Sequence, residues 1–199
     1  MDSKDFNNIT FSNFKWLNEP REWEASKELL EFSTDDKTDF WQKTLYDFAY
    51  NTGHLFGVEI REDFTVEICI EADFTTLYDQ AGLMIYIDEQ HWLKTGIEYN
   101  DGQPMIGSVL TNGISDWGTG VYLGNANKFF LRLTRLGDVV CVKYSTDSVT
   151  WILVRLCPFP IADKYFVGPM ACTPKRGGLA VKFSKLKFTK PAEDILHSN

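Results

Sequence analysis

From residue 55 onward, short apolar runs alternate with turn signals, a pattern typical of β-strands. The clearest run is DFTVEICI (63–70), in which apolar residues at even positions alternate with Thr65, Glu67 and Cys69. This period of two indicates a strand that buries one of its faces. By the same pattern, further strands are predicted at 55–60, 81–87, 91–99, 105–111, 129–135, 139–145, 150–156, 165–171 and 178–188.

The helical period of 3.6 residues is weak throughout the chain, with its best examples at 21–32 and 191–197. Many short strands with turns at this spacing are typical of a β-sandwich or a barrel. No linker, repeat or low-complexity segment divides the sequence. We therefore predict one domain over residues 1–199, with flexible ends at about 1–12 and 191–199.

Residues 81–99, AGLMIYIDEQHWLKTGIEY, predict a hairpin whose register follows from parity. The apolar faces of its two strands coincide only if paired positions sum to an even number, which a three-residue loop at 88–90 provides. The predicted pairs are Ile87 with His91 and Ile85 with Leu93 on the core face, and Tyr86 with Trp92, Met84 with Lys94, Gly82 with Gly96 and Gln80 with Glu98 on the other.

The second face of this hairpin combines glycine with charge. Gly82 and Gly96 lie side by side and leave a low floor, although glycine inside a strand costs stability. Around this floor we expect Gln80, Lys94, Glu98, Tyr86 and Trp92. Two interpretations stay open: the face is a binding groove, or Lys94 and Glu98 form an ordinary ion pair on a solvated surface.

The formal net charge of −8 and the acidic pI of about 4.9 argue against nucleic acid and anionic membranes as partners. This charge favours a neutral or cationic ligand, or a protein partner. No apolar run approaches the roughly 20 residues that span a bilayer. The first ten residues lack the basic and apolar regions of a signal peptide, so we expect a cytoplasmic protein.

The cysteines and histidines do not indicate a metal site. Cys69, Cys141, Cys157 and Cys172 are widely spaced and form no CxxC pair, which predicts reduced, structural thiols. His54, His91 and His197 are not spaced with Asp or Cys as metal ligands are. We predict no metal and no cofactor.

Several segments resemble the fungal regulation-of-enolase family, a group of concanavalin A-like β-sandwich domains of mostly unknown function. They are TDFWQKT, YDQAGLMIYID, HWLKTGIE, SVLTNGISDW, STDSVTW, LVRLCPFP and VGPMACTP. The resemblance covers roughly residues 14–190 and nearly the whole order of motifs. Its most recognisable positions are Tyr78-Asp79-Gln80, Trp92, Lys94, Glu98 and Asp116-Trp117.

The resemblance implies an all-β fold, a concanavalin A-like jelly-roll sandwich of two antiparallel sheets with few short helices and a concave face. It also implies a cytoplasmic protein connected with the control of enolase and carbohydrate metabolism, with enolase as a candidate partner. It does not imply an enzyme of known reaction. Residue roles are not established for the family, so few can be carried over.

A groove on this face suits a carbohydrate-like ligand, because aromatic rings stack on the C–H faces of a sugar and hydroxyl groups need donors and acceptors. The predicted ligand-binding residues are Tyr78, Gln80, Trp92, Lys94, Glu98, Thr111, Asp116 and Trp117. The alternatives are a protein-contact surface and a groove filled by the chain's own side chains.

Catalysis is the less favoured hypothesis. Glycoside hydrolysis needs two carboxylates across the scissile bond. Glucanases of this fold usually place them on one strand as E-x-D-x-E, whereas here Glu98 has Gly96 and Lys94 at the alternate positions. We therefore predict a non-enzyme, with a glycan-active hydrolase or lyase using Glu98 as the alternative.

Three further side chains have two interpretations each. Trp41 lines the mouth of the groove or closes one end of the sandwich. Arg132 and Arg155 orient an anionic group or pair with an acidic neighbour such as Glu98 or Asp116. In contrast, the segment STDSVTW (145–151) resembles a shortened Asp-box turn, so Trp151 is interpreted as a core anchor.

Overall fold

The computed structural model describes residues 6–197, and almost all of its regular structure is β-strand. The strands are β1 Lys15–Leu17, β2 Glu22–Ala25, β3 Leu29–Ser33, β4 Phe40–Gln42, β5 Ala49–Asn51, β6 His54–Ile60, β7 Phe64–Ala72, β8 Gln80–Asp88, β9 His91–Asn100, β10 Gln103–Asn112, β11 Ile114–Val121, β12 Lys128–Leu136, β13 Val139–Ser145, β14 Ile152–Pro158, β15 Tyr165–Cys172 and β16 Ala180–Thr189. In this part of the chain the only helical elements are two short 3-10 turns, Phe6–Asn8 and Phe11–Asn13.

Two antiparallel seven-stranded sheets pack face to face. The front sheet has the order β1-β6-β15-β8-β9-β10-β11, and the back sheet has the order β14-β13-β12-β7-β16-β3-β2. The short hairpin β4-β5 forms a separate two-stranded sheet. This architecture confirms the predicted jelly-roll sandwich.

The main core lies between the two sheets and is built by alternation along each strand. On β7, Phe64, Val66 and Ile68 are at most 1% exposed, as their period of two predicts. The front sheet contributes the matching inner face, with Leu83 and Ile85 of β8 fully buried. Burial of such side chains stabilises each by about 1.5–3 kcal/mol relative to exposure.

The predicted hairpin register is confirmed over most of its length. Gln80 pairs with Glu98, Gly82 with Gly96, Met84 with Lys94 and Tyr86 with Trp92. The pairing predicted at the turn is wrong, because His91 pairs with Asp88 and a β-bulge falls between Tyr86 and Asp88.

A local side-chain contact explains this correction. The Asp88 carboxylate accepts the Gln90 backbone N–H at 2.8 Å and bonds His91 Nδ1 at 2.8 Å. These bonds tighten the connection to the two residues Glu89 and Gln90. Ile87 is the extra residue of the bulge, so the parity of the rest of the hairpin is kept.

The sequence pattern missed six strands. Five lie before residue 55, where each strand has only three to five residues, and the weak helical period at 21–32 is in fact the β2-β3 pair. The sixth is β11, whose glycines and exposed residues mask its alternation. At 191–197 no helix forms, and Lys143 Nζ donates instead to the Leu196 carbonyl oxygen at 2.8 Å.

The described part of the first twelve residues packs against the core. Phe6, Ile9 and Phe11 are each at most 9% exposed and belong to the main cluster. Residues 1–5 and 198–199, over which the predicted flexible ends also extend, lie outside the described residues.

All four cysteines are free and buried, in agreement with their interpretation as structural thiols. No helix among residues 6–197 is long and apolar enough to cross a membrane.

Candidate functional site

The outer face of the front sheet is covered by the β4-β5 hairpin, and a cavity of about 510 Å³ lies beside this cover. Its volume is within the range of small-molecule sites, roughly 300–1,000 Å³. The lining residues are Lys37, Asp39, Trp41, Tyr46, Phe48, Tyr50, Leu77, Tyr78, Gln80, Lys94, Glu98, Val109, Trp117, Pro174 and Lys175.

Specific contacts hold the hairpin on the sheet. Phe40 is fully buried and packs with Trp92 of β9 in a second apolar cluster. The Gln42 backbone N–H donates to Ser115 Oγ at 2.9 Å, and the Gln42 side chain donates to the Glu89 carbonyl oxygen at 2.9 Å. Phe40 and Gln42 lie on the same face of β4, so the hairpin is anchored on the sheet through one face by both apolar and polar contacts.

Aromatic rings form one continuous wall of the cavity. Trp117 of β11 lies edge-on to Trp41, with ring centroids 6.4 Å apart, and Trp41 lies 6.4 Å from Tyr46. Tyr46 stacks on Phe48 at 5.3 Å, and Phe48 contacts Tyr50 at 4.9 Å. Such rings present flat apolar faces to a ligand.

Three charged side chains line the inner part of the cavity: Lys94 and Glu98 from β9, and Asp39 from the residue before β4. Lys94 is 4% exposed, and its Nζ donates to Asp39 Oδ1 at 3.1 Å. Burial is the largest single influence on the pKa of Lys94 and lowers it, but Asp39, Cys172 and Glu98 together outweigh burial and raise the pKa of the amine. Lys94 and Asp39 thus form a buried ion pair that neutralises both charges.

Glu98 is different, because within residues 6–197 its carboxylate has no hydrogen bond and no ion pair. It is 8% exposed. Burial raises its pKa to about 7, and the nearby charge of Lys94 limits the rise. Glu98 can therefore change its protonation state near neutral pH.

The backbone at the cavity edge is strained. Tyr78 has a φ of 65°, in the left-handed region that non-glycine residues rarely adopt. The next residue, Asp79, is fully buried and holds this conformation through bonds to Arg176 Nε and to the Thr75 and Thr76 backbone N–H groups. Strain of this kind clusters at functional sites.

Five of the eight predicted site residues line the cavity. They are Tyr78, Gln80, Lys94, Glu98 and Trp117. Their role in binding stays a prediction, but their convergence on one cavity agrees with it.

The other three do not reach the cavity, and we correct their placement. Trp92 is fully buried beneath Phe40, so it cannot be a stacking platform. Thr111 is also fully buried, with its hydroxyl bonded to Ser115 at 2.8 Å. Asp116 Oδ2 pairs with Arg155 Nη2 at 2.8 Å, because the Asp116 side chain alternates with that of Trp117 and points to the other face of β11.

The remaining lining residues were not predicted as ligand contacts. Trp41 was assigned either to the groove mouth or to the sandwich end, and the structure places it in the cavity wall. Tyr46, Phe48 and Tyr50 alternate with polar or small residues in the sequence, which is the signal of an aromatic strand face. Asp39 lies far from Lys94 in sequence, so only the fold brings them together.

Other candidate groups have structural roles. Arg132 bonds Glu67 at 2.8 Å, and its guanidinium lies 4.1 Å from the Trp151 ring centroid. Trp151 is buried, in agreement with its interpretation as an anchor. In the described part of the chain, no cluster of three or more His, Cys, Asp or Glu residues could hold a metal ion.

Comparisons with known proteins identify the family. The model of the family "Protein of unknown function (DUF1349)" matches residues 16–191. The chain is 52% identical over 192 residues to "Regulation of enolase protein 1" of Saccharomyces cerevisiae, covering 96% of each sequence.

Solved structures give the same picture of the fold. A functionally unknown protein from Saccharomyces cerevisiae superimposes with a TM-score of 0.90 at 49% identity, over 92% of this chain and all of that chain. The carbohydrate-binding module CBM66 of Bacillus subtilis superimposes with a TM-score of 0.55 at 14% identity, over 92% of this chain and 98% of that chain. The second likeness supports the fold alone.

Proposed function

The chain belongs to the DUF1349 family of proteins of unknown function, and we propose that it is a non-catalytic regulatory protein that binds a small carbohydrate-like ligand. In this proposal the ligand occupies the cavity beside the β4-β5 hairpin. In the same proposal the protein acts in the cytoplasm, in the control of enolase and carbohydrate metabolism. The name of its yeast relative, "Regulation of enolase protein 1", supports the link to enolase.

The observation that carries the proposal is the composition of the cavity wall. Rings from Trp41, Tyr46 and Trp117 face a polar floor that contains Gln80 and Glu98. A sugar needs both kinds of contact, since its C–H faces are apolar and its hydroxyl groups must be hydrogen-bonded when buried.

A thermal-shift screen against neutral and charged sugars tests the ligand. A sugar present at 100 times its Kd stabilises the protein by about 2.7 kcal/mol, which raises Tm measurably. Trp117→Ala removes a cavity ring and should abolish the shift. Trp23→Ala is the matched control, because Trp23 is 38% exposed, as against 40% for Trp117, and lies away from the cavity.

Capture of enolase by the immobilised protein tests the partner separately. Enolase binding that is unchanged by Trp117→Ala, with no shift by any sugar, would exclude the ligand and leave a protein-contact role. If neither sugars nor enolase bind, the proposed function is wrong.

One observation favours the alternative of a glycan-active hydrolase, namely the raised pKa of Glu98, since a general acid needs its proton near neutral pH. The other carboxylate in the cavity, Asp39, is held by Lys94. We therefore expect no polysaccharide cleavage. Cleavage that is lost in Glu98→Gln would establish the enzyme.

A further inference from the structure

Glu98 is the unexplained group of the cavity. Its side chain is more than nine-tenths buried, lines both the main cavity and a narrow extension of about 20 Å³, and has no partner among residues 6–197. Its oxygens are open to the cavity, since neither belongs to the fully enclosed polar atoms that lack a hydrogen bond in residues 6–197. A bound ligand that enters the cavity can therefore donate a hydrogen bond to this carboxylate.

The groups around Glu98 form neither a hydrogen bond nor an ion pair with its carboxylate. Lys94 is the nearest cation, but its amine is bonded to Asp39. Gln80 lies directly opposite on β8, and its amide donates only a long bond, 3.4 Å, to the Tyr78 carbonyl oxygen. The Tyr78 phenol feels the Glu98 charge, which adds to the rise of its pKa caused mainly by burial. The Cys172 thiol also lies nearby, and burial raises its pKa strongly.

Two further lysines lie at the outer part of the lining. Lys37 and Lys175 are exposed, and Lys175 Nζ is 5.9 Å from the Tyr78 ring centroid. The charges at the floor differ from these two lysines, because among the described residues Lys94 is paired with Asp39, whereas Glu98 has no hydrogen bond and no ion pair. An anionic group on a ligand that reaches the floor would therefore face the Glu98 carboxylate.

We propose, on the basis of the proposed function, that the ligand is an uncharged, hydroxyl-rich molecule whose hydroxyl groups donate hydrogen bonds to the ionised Glu98 carboxylate. Gln80 supplies a donor and an acceptor beside it, so that neighbouring hydroxyl groups can be held together. Glu98 is then the residue that excludes sugar acids and sugar phosphates from the floor.

A consequence of this arrangement is that binding releases protons. In the free protein Glu98 is about half protonated at pH 7, because its pKa is about 7. Hydroxyl donors favour the ionised form, so they lower this pKa. Affinity is therefore highest above pH 7 and falls as the pH decreases below 7.

Isothermal titration with matched sugars tests the inference. The probes are D-glucose and D-galactose, their uronic acids and their 6-phosphates, at pH 8. We expect the neutral sugars to bind about tenfold or more tightly than the anionic members, because like charges at a buried contact are strongly unfavourable. At pH 7, titration in two buffers of different ionisation enthalpy should show release of about half a proton.

Glu98→Gln is the decisive variant, since glutamine keeps the shape and cannot ionise. The preference for neutral over anionic sugars should fall below about threefold, and proton release should disappear. Glu24→Gln, at an exposed position on β2, is the control and should change neither.

The outcomes separate this inference from the proposed function. Neutral sugars that bind without proton release, and equally well to Glu98→Gln, would overturn the inference and leave the proposed function intact. Tighter binding of the anionic sugars that is lost in Lys37→Ala or Lys175→Ala would place an anion at the lysines and also overturn it. If none of the six probes binds, both the inference and the ligand of the proposed function fail.

Discussion

Gly82 and Gly96 face each other across β8 and β9, and their role is steric. A Cβ at Gly82 would collide with the Thr95 carbonyl oxygen, and a Cβ at Gly96 would collide with the Ala81 carbonyl oxygen. The sequence suggested that the pair leaves a floor for a ligand. The structure adds a reason within the sheet itself, because the two strands approach too closely for any side chain.

Gly82→Ala should therefore be strongly destabilising. The obstacle is backbone rather than a flexible side chain, so the strands must move apart, at a cost of about 3 kcal/mol or more. Urea unfolding measures this loss. Gly118→Ala in β11 is the matched control, because no atom lies within 4 Å of its added Cβ, and it should change stability by less than about 1 kcal/mol. Equal effects of the two substitutions would contradict the steric explanation.

At the scale of elements, the β4-β5 hairpin covers part of the outer face of the front sheet and so creates the cavity. It brings Asp39 to Lys94 and adds the rings of Trp41, Tyr46, Phe48 and Tyr50 to the wall. Its strands have three residues each, so the hairpin depends on contacts with β9 and β11 for its stability.

Ser115→Ala tests this dependence. Ser115 Oγ accepts the Gln42 backbone N–H and is 2% exposed, so the substitution leaves a buried donor without a partner. We expect a loss of about 1–3 kcal/mol in the free energy of unfolding. Hydrogen exchange, followed by mass spectrometry, should accelerate in residues 40–51 more than elsewhere.

The exposed Ser12→Ala is the control for this experiment and should leave both measurements unchanged. Faster exchange spread evenly over the whole chain in Ser115→Ala would show that the hairpin has no separate stability.

At the scale of the whole molecule, His54 links the two sheets. It starts β6 in the front sheet and is 2% exposed. Its Nε2 accepts the Asp35 backbone N–H at 3.0 Å, just after β3 of the back sheet. Its Nδ1 therefore carries the proton and donates to the Asn18 carbonyl oxygen at 2.7 Å. Only the neutral ring can make both bonds.

This linkage makes stability depend on pH. Burial lowers the pKa of His54 below its ordinary value of 6.5, although the Asn18 carbonyl and Asp35 oppose the shift. As the pH falls, His54 is therefore protonated in the unfolded chain before it is protonated in the folded chain. The contribution of His54 is complete above pH 6.5 and is lost as the pH falls from 6.5 through the lowered pKa.

We expect the stability advantage of the original protein over His54→Gln, measured as the difference in the free energy of unfolding in urea, to decrease from pH 7 to pH 5. The raised pKa of Glu98 changes the stability of both proteins in the opposite direction and cancels in this difference. The variant should also be less stable at pH 7, because glutamine cannot make both bonds. His197→Gln, in the exposed C-terminal turn, should keep the pH dependence of the original protein. A stability advantage over His54→Gln that stays constant from pH 7 to pH 5 would assign the pH dependence to other groups.

The sequence pattern by itself determined an all-β fold, most of its strands and the register of β8 on β9. These follow from alternation and parity, which are local properties of a chain that must bury one face of each strand. The choice of a sandwich over a barrel came from the resemblance to the family. The same parity identified Gln80, Lys94 and Glu98 as one polar face. The same alternation explains why the side chain of Trp117 lies on that face and the side chain of its neighbour Asp116 does not.

Only the tertiary structure decided what covers that face. The β4-β5 hairpin is short and weakly patterned, and its position depends on contacts with residues up to 73 positions away, such as Gln42 with Ser115. No local period encodes such a contact. For this reason Trp92, which the sequence placed on an open wall, is fully buried, whereas the cavity wall is made by aromatic residues from a segment that the sequence pattern left unassigned.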